Sequence, residues 1–170
     1  FNALRDAPNS KITTWNLSRE DLGPEITKPL SEYISVSTSL TSLDLERNGV
    51  GAEGAKALAD ALRVNASLTS LDVGFNKIGK EAALGLVSIF KEKDQMQSVG
   101  LARCDLGDDG AKAVADYVSV SASLTSLILE YNDIGSEGAT AIADALRVNA
   151  SLTSLDLYFN GIGDMGAEAI

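Results

Sequence analysis

The chain has no histidine, a single cysteine, three prolines and one tryptophan. Without histidine no Ser–His or Cys–His nucleophile pair can be assembled, and no imidazole is available for a metal. A lone cysteine, Cys104, excludes an internal disulfide framework. With no cysteine-rich end caps either, a reducing, intracellular and cytoplasmic setting is the expectation. Positive charge is scarce: 14 Lys and Arg stand against 24 Asp and Glu, a formal net charge of −10. That balance disfavours nucleic acid, whose phosphates need a basic stripe, and anionic membranes. No apolar run approaches the roughly 20 residues needed to span a bilayer. No signal-peptide pattern opens the chain, and no glycine-rich loop with its lysine is present to cradle a phosphate. What remains offers no nucleophile–base or metal constellation, so a non-enzyme without a cofactor is expected.

What the chain does have is a period. Ile12, Leu40, Leu68, Met96, Leu124 and Leu152 each open a near-copy of one 28-residue pattern, without insertion or deletion. The stretch Ala59–Leu71 recurs letter for letter as Ala143–Leu155. A strict short period of this kind marks a solenoid. In the copy from Leu40, Leu43 and Leu45 lie two apart and share one face of a short strand, with Ser42, Asp44 and Glu46 on the other. Asn48-Gly49 reads as a turn in which both residues accept positive φ. Beyond Gly51 the spacing becomes helical. Ala55, Leu58, Ala59 and Leu62 form the inner stripe, opposite Glu53, Lys56, Asp60 and Arg63. Each unit is therefore a strand, a turn and a helix of about three turns. No unit can bury its stripe alone, so neighbours must stack into one core. Strands stack at about 4.8 Å and helices at about 10 Å, so the stack curves with strands inside.

The pattern Leu-x-x-Leu-x-Leu-x-x-Asn-x-Ile-Gly-x-x-Gly-Ala resembles leucine-rich repeats of the ribonuclease-inhibitor type. It reads Leu124, Leu127, Leu129, Asn132, Ile134, Gly135, Gly138 and Ala139 in one copy. The next copy has Leu152, Leu155, Leu157, Asn160, Ile162, Gly163, Gly166 and Ala167. The resemblance implies an α/β leucine-rich-repeat solenoid with a parallel inner sheet and helices on the convex side. It also implies an asparagine ladder, matched by Asn48, Asn76, Asn132 and Asn160. Cys104 takes the ladder position in the copy from Met96, and Glu20 departs from it in the first copy. Pro24 and Pro29 fall where the first helix should run, so that helix is expected to be irregular or shortened.

One domain over residues 1–170 follows, with repeats at 12–39, 40–67, 68–95, 96–123, 124–151 and a truncated 152–170. Residues 1–11 read as the end of a preceding repeat. Because the chain opens on Phe1 and stops at Ile170 inside a helical pattern, a longer protein or partners over its ends are expected.

Several residues admit two readings. Cys104 is either a reactive thiol or a packed ladder residue, and its place in the repeat favours the second. Asp105, Asp108 and Asp109 lack the spacing of a calcium loop and suit a turn and helix start. Asn16, Asn65 and Asn149 open formal glycosylation sequons, yet Asn and Ser also make helix-to-strand turns. Trp15 takes the inward place of Leu43 and reads as core.

The inner face carries three columns in which the copies disagree. The first is Asn16, Asp44, Asp72, Gly100, Ile128 and Asp156; the second is Ser18, Glu46, Gly74, Ala102, Glu130 and Tyr158. The third, beside the ladder, is Arg19, Arg47, Phe75, Arg103, Tyr131 and Phe159, all arginine or aromatic, the types enriched at binding hot spots. Tyr131, Tyr158, Phe159 and Ile128 are expected to form one exposed apolar patch. A non-catalytic interaction or scaffold module, binding a protein through these columns, is the reading this supports. Two alternatives stay open from the resemblance. One is a regulator of a small GTPase, with Arg19, Arg47 or Arg103 approaching a phosphate. The other is an inhibitor of a basic ribonuclease, steered by the acidic face.

Overall fold

A computed structural model describes residues 11–170. The stretch read as the end of a preceding repeat lies outside the described residues, except for Lys11. Six three-residue strands run in chain order: β1 (Thr14–Asn16), β2 (Ser42–Asp44), β3 (Ser70–Asp72), β4 (Ser98–Gly100), β5 (Ser126–Ile128) and β6 (Ser154–Asp156). They form one parallel sheet in the order β1-β2-β3-β4-β5-β6. Each pairing matches residues one repeat apart, as Leu43 with Leu71 and Leu127 with Leu155. The period of the sequence is thus the register of the sheet.

A helix follows each strand: α1 (Thr27–Val36), α2 (Gly51–Val64), α3 (Gly79–Lys93), α4 (Gly107–Val120), α5 (Gly135–Val148) and α6 (Gly163–Ala169). Helices α2, α4 and α5 are 14 residues long. That is nearly four turns at 3.6 residues per turn, one more than the spacing of the inner stripe predicts. The extra residues flank the stripe: Gly51–Gly54 before Ala55, and the exposed Arg63 and Val64 after Leu62, none with a large core side chain to mark the period. Helix α1 has only 10 residues and is preceded by a 3-10 turn at Pro24–Ile26. The shortening expected from Pro24 and Pro29 is present, and Pro29 sits within the first turn of α1, where its missing N–H is harmless.

Leu43, Leu45, Val50, Ala55, Leu58 and Leu62 and their counterparts fill a single core between sheet and helices. Each fully buried leucine contributes about 1.5–3 kcal/mol. Helix-to-helix spacing is set by small residues. A Cβ at Gly138 would stand 2.7 Å from both the Ala111 Cβ and the Ile134 Cγ2; one at Gly54 would stand 2.6 Å from the Thr27 Cγ2. Trp15 is half-buried against the core and meets Tyr33 edge-on at 5.6 Å. At the C-terminal end, Leu146, Leu152, Leu155, Leu157 and Ile162 line an open groove of about 510 Å³.

Two rows of side chains tie the repeats together. In the first, the Asn132 amide donates to Leu101 O, Leu129 O and Glu130 O and accepts from Cys104 N and Leu106 N. Asn48, Asn76 and Asn160 bond in the same way. Cys104 is fully buried in this row, its Sγ 3.6 Å from Ala102 O. Burial first, then the charges of Asp105 and Asp72, push its thiol up to about 12. The thiol therefore stays protonated near neutral pH and is a packing residue, not a nucleophile.

The second row lies at the helix-to-strand turns. Asn65 donates to Ile34 O and Ser37 O and accepts from Ser67 N and Leu68 N. Asn149 repeats these bonds with Val118, Ser121, Ser151 and Leu152. Asn65 and Asn149, two of the three sequon asparagines, are thus occupied in making the turn. Lys93 stands in this place in the third repeat and donates to Leu62 O, Arg63 O and Asn65 O, closing the C-terminal end of α2. Asp108 bonds Gly138 N at 2.8 Å, so it serves the start of the following helix, α5, while Asp109 pairs with Lys80.

Candidate functional site

The inner face of the sheet carries all three columns, and the backbone fixes how each is presented. Arg19, Arg47, Phe75, Arg103, Tyr131 and Phe159 all have positive φ, between 53° and 62°. The turn prediction is corrected here: Arg47 and Gly49 are left-handed, and Asn48 between them is not. The reason is the ladder, which needs the Asn48 amide turned inward to Leu45 O and Leu17 O. The left-handed residue before it is stabilised by a bond to the next repeat, as Arg47 N to Gly74 O and Tyr131 N to Tyr158 O. A non-glycine residue in this region costs about 1–2 kcal/mol. The stacked repeats offset that cost and project the third column from a rigid backbone.

The aromatic members meet. Tyr131 stacks on Phe159 with centroids 5.0 Å apart and planes at 26°. Tyr158 contacts Tyr131 at 5.6 Å and Phe159 at 5.5 Å. Tyr158 and Phe159 are 59% and 68% exposed, against 37% for Tyr131, so the patch is open to solvent. Phe75, two repeats away, reaches Tyr131 at 5.8 Å, which the columns alone did not suggest. The gap it crosses is floored by Gly74, Gly100 and Ala102, all buried and without bulk. Ile128 is half-buried beside this array. Arg47 lies 4.3 Å over the Phe75 ring and gives its Nε to Glu46 Oε1 at 2.9 Å. Arg19 reaches the same carboxylate at 3.6 Å. Arg103 does not continue the row. It lines a cleft of about 350 Å³ with Phe75, Lys77, Gly79 and Asp105.

The acidic members have a structural duty that the sequence reading did not assign. Asp44, Asp72 and Asp156 each accept the N–H two residues on, from Glu46, Gly74 and Tyr158, and so close the end of their strand. Burial first, then the charges of Asp44 and Glu46, raise the Asp72 carboxyl against the bond from Gly74. Burial and then the charge of Asp156 raise Glu130. Tyr131 is raised as well, by desolvation and then by Tyr158. Burial is the first cause of all three shifts, and neighbouring acidic or phenolic groups add to it. Among the described residues no group of side chains is arranged to hold a metal ion, and no helix is long and apolar enough to cross a membrane.

The sequence pattern described as Leucine Rich repeat matches residues 36–59, 64–87, 96–115, 120–143 and 148–170, most of the chain. The chain belongs to the leucine-rich repeat family. The match is to the repeat as such and does not distinguish its types. Among solved structures, this leucine-rich repeat chain is similar to the tropomodulin C-terminal domain of Caenorhabditis elegans, with a TM-score of 0.71 and 16% identity. That likeness covers 86% of this chain and 90% of the other. The leiomodin-1 actin-binding site 2 is similar at a TM-score of 0.52 and 18% identity, over 99% and 81% of the two chains. The leucine-rich repeat-containing protein LegL7 of Legionella pneumophila is similar at 0.59 and 26% identity, over 88% of this chain and 48% of its own. No protein of curated function matches the sequence significantly.

Proposed function

We propose that this leucine-rich repeat chain is a non-catalytic interaction module that binds a protein partner through the inner face of its sheet. The observation that carries the reading is the exposed aromatic array of Tyr131, Tyr158 and Phe159, joined to Phe75 and Arg47. Exposed aromatics on a rigid surface bury large area at small entropic cost, which is the character of a binding hot spot. Asp44, Glu46, Asp72, Glu130 and Asp156 surround the array and would orient a partner and speed its encounter. Arg19 and Arg47 are engaged by Glu46, which leaves Arg103 as the arginine of this column without an ion pair among the described residues.

The test is to measure affinity for the native partner with wild type, Tyr131→Ala and Phe159→Ala. Each variant should lose about tenfold or more, the scale of a hot-spot residue, with an unchanged thermal midpoint within a few degrees. Affinity equal to wild type in both variants would remove this face from the reaction. Because leiomodin-1 has an actin-binding site of this fold, co-sedimentation with actin filaments is the first partner assay to run.

A further inference from the structure

The inner face repeats one arrangement three repeats apart. Glu46, Asp72 and Phe75 correspond in register to Glu130, Asp156 and Phe159. In the first set a guanidinium completes the arrangement: Arg47 lies 4.3 Å over Phe75, and its Nε donates to Glu46 at 2.9 Å. In the second set the place of Arg47 is taken by Tyr131. Its ring stacks on Phe159 as the guanidinium does on Phe75, but it brings no charge. Among the described residues neither Glu130 nor Asp156 has an ion pair. The imbalance extends through the region: from Leu124 to Ile170 there are seven carboxylates and one cation, Arg147. Arg147 lies on helix α5, away from the sheet face, paired with Asp144 at 3.9 Å.

We propose that Glu130, Asp156, Tyr131, Tyr158 and Phe159 form a seat for an arginine side chain presented by a protein partner. The seat supplies from outside the guanidinium that Arg47 supplies within the chain. The inference rests on the inner face being the partner surface and adds what the partner must bring. Arginine fits better than lysine for two reasons. Its planar fork can bond two carboxylates at once, and its flat face stacks on rings already exposed. The raised carboxyl of Glu130, caused by burial and then by Asp156, accords with a site lacking its cation.

The test uses the 170-residue chain and a blocked peptide, acetyl-Gly-Ser-Arg-Ser-Gly-Arg-Ser-Gly-amide, with lysine and citrulline counterparts. Binding is followed by two-dimensional amide NMR. The arginine peptide should move the signals of Glu130, Tyr131, Tyr158 and Phe159, with about tenfold higher affinity than the citrulline peptide and severalfold higher than the lysine peptide. Glu130→Gln and Asp156→Asn should each weaken it about threefold or more, and Glu53→Gln, on the outer side of helix α2, should not. Asn keeps the acceptor for Tyr158 N, so the strand end is preserved. Equal binding of arginine and citrulline peptides, or shifts confined to the helices, would overturn the proposal. The two readings fail separately. A native partner that responds to Phe159→Ala while the peptides bind alike removes the arginine seat and keeps the face. A selective peptide with a native partner indifferent to Phe159→Ala keeps the seat and removes the face as that partner's site.

Discussion

The carboxylate of Asp72 lies directly over Gly100 on the neighbouring strand: a Cβ at Gly100 would come within 2.2 Å of the Asp72 Cγ. The missing side chain gives the carboxylate its place, and burial there raises its pKa. A raised folded value means that the folded state holds the proton more tightly than the unfolded chain. Stability then falls as pH rises from the ordinary carboxylate value, about 3.9, through the folded value, and the penalty is complete above it. Asp72→Asn keeps the acceptor for Gly74 N and removes the charge. It should stabilise the protein at neutral pH, and the gain should vanish below about pH 3.5, where the carboxyl is protonated in both states. Urea denaturation at the two pH values measures this; a gain that is the same at both would show that charge is not the cause.

The asparagine row should carry a disproportionate share of stability. Asn132→Ala leaves Leu101 O, Cys104 N and Leu106 N without their partner in a buried setting. At about 1–3 kcal/mol for each unsatisfied buried group, the loss should reach about 3 kcal/mol or more. The converse change is Cys104→Asn, which restores the amide facing Val73, Asn76 and Ile78. It should stabilise by about 1 kcal/mol. Chemical denaturation of the pair decides the matter, and a destabilised Cys104→Asn would mean that the row has relaxed around the thiol.

Gly138 is set by contact and not by backbone freedom. Its absent Cβ leaves room for Ala111 and Ile134, each 2.7 Å from where that atom would stand. Gly138→Val should cost about 1–3 kcal/mol, as overpacking does. The equivalent place in the third repeat is Ala82, which is buried without a clash of its own, so Ala82→Gly should cost less. A Gly138→Val variant with wild-type thermal midpoint would contradict the close approach of α4 and α5.

The period, the strand register and the inner stripe were legible because the copies differ so little; Leu43 pairs with Leu71 and Val99 with Leu127 across the sheet as their spacing requires. The three columns and the cluster of Tyr131, Tyr158 and Phe159 were legible for the same reason. The position of the turn was not legible, because propensity favours positive φ at Asn48 whereas the ladder bond claims that side chain and passes the strain to Arg47. The length of the helices was hidden, because Gly51–Gly54 before the inner stripe and the exposed Arg63 and Val64 after it add no large core side chain. The link from Phe75 to Tyr131 was hidden for another reason. It depends on Gly74, Gly100 and Ala102 leaving the middle of the face empty and on Arg103 turning aside, and neither is a property of one repeat. The second duty of Asp44, Asp72 and Asp156 as strand-end acceptors was hidden because a carboxylate reads as surface charge whichever bond it makes.

The central claim is that the inner face is where a partner sits. Amide hydrogen exchange with the native partner bound and absent tests it most directly. Protection should appear at the turns carrying Arg47, Phe75, Tyr131 and Phe159 and at strands β5 and β6, with helices α2 to α5 unchanged. Protection confined to the helices, with those turns exchanging as in the free chain, would contradict the account.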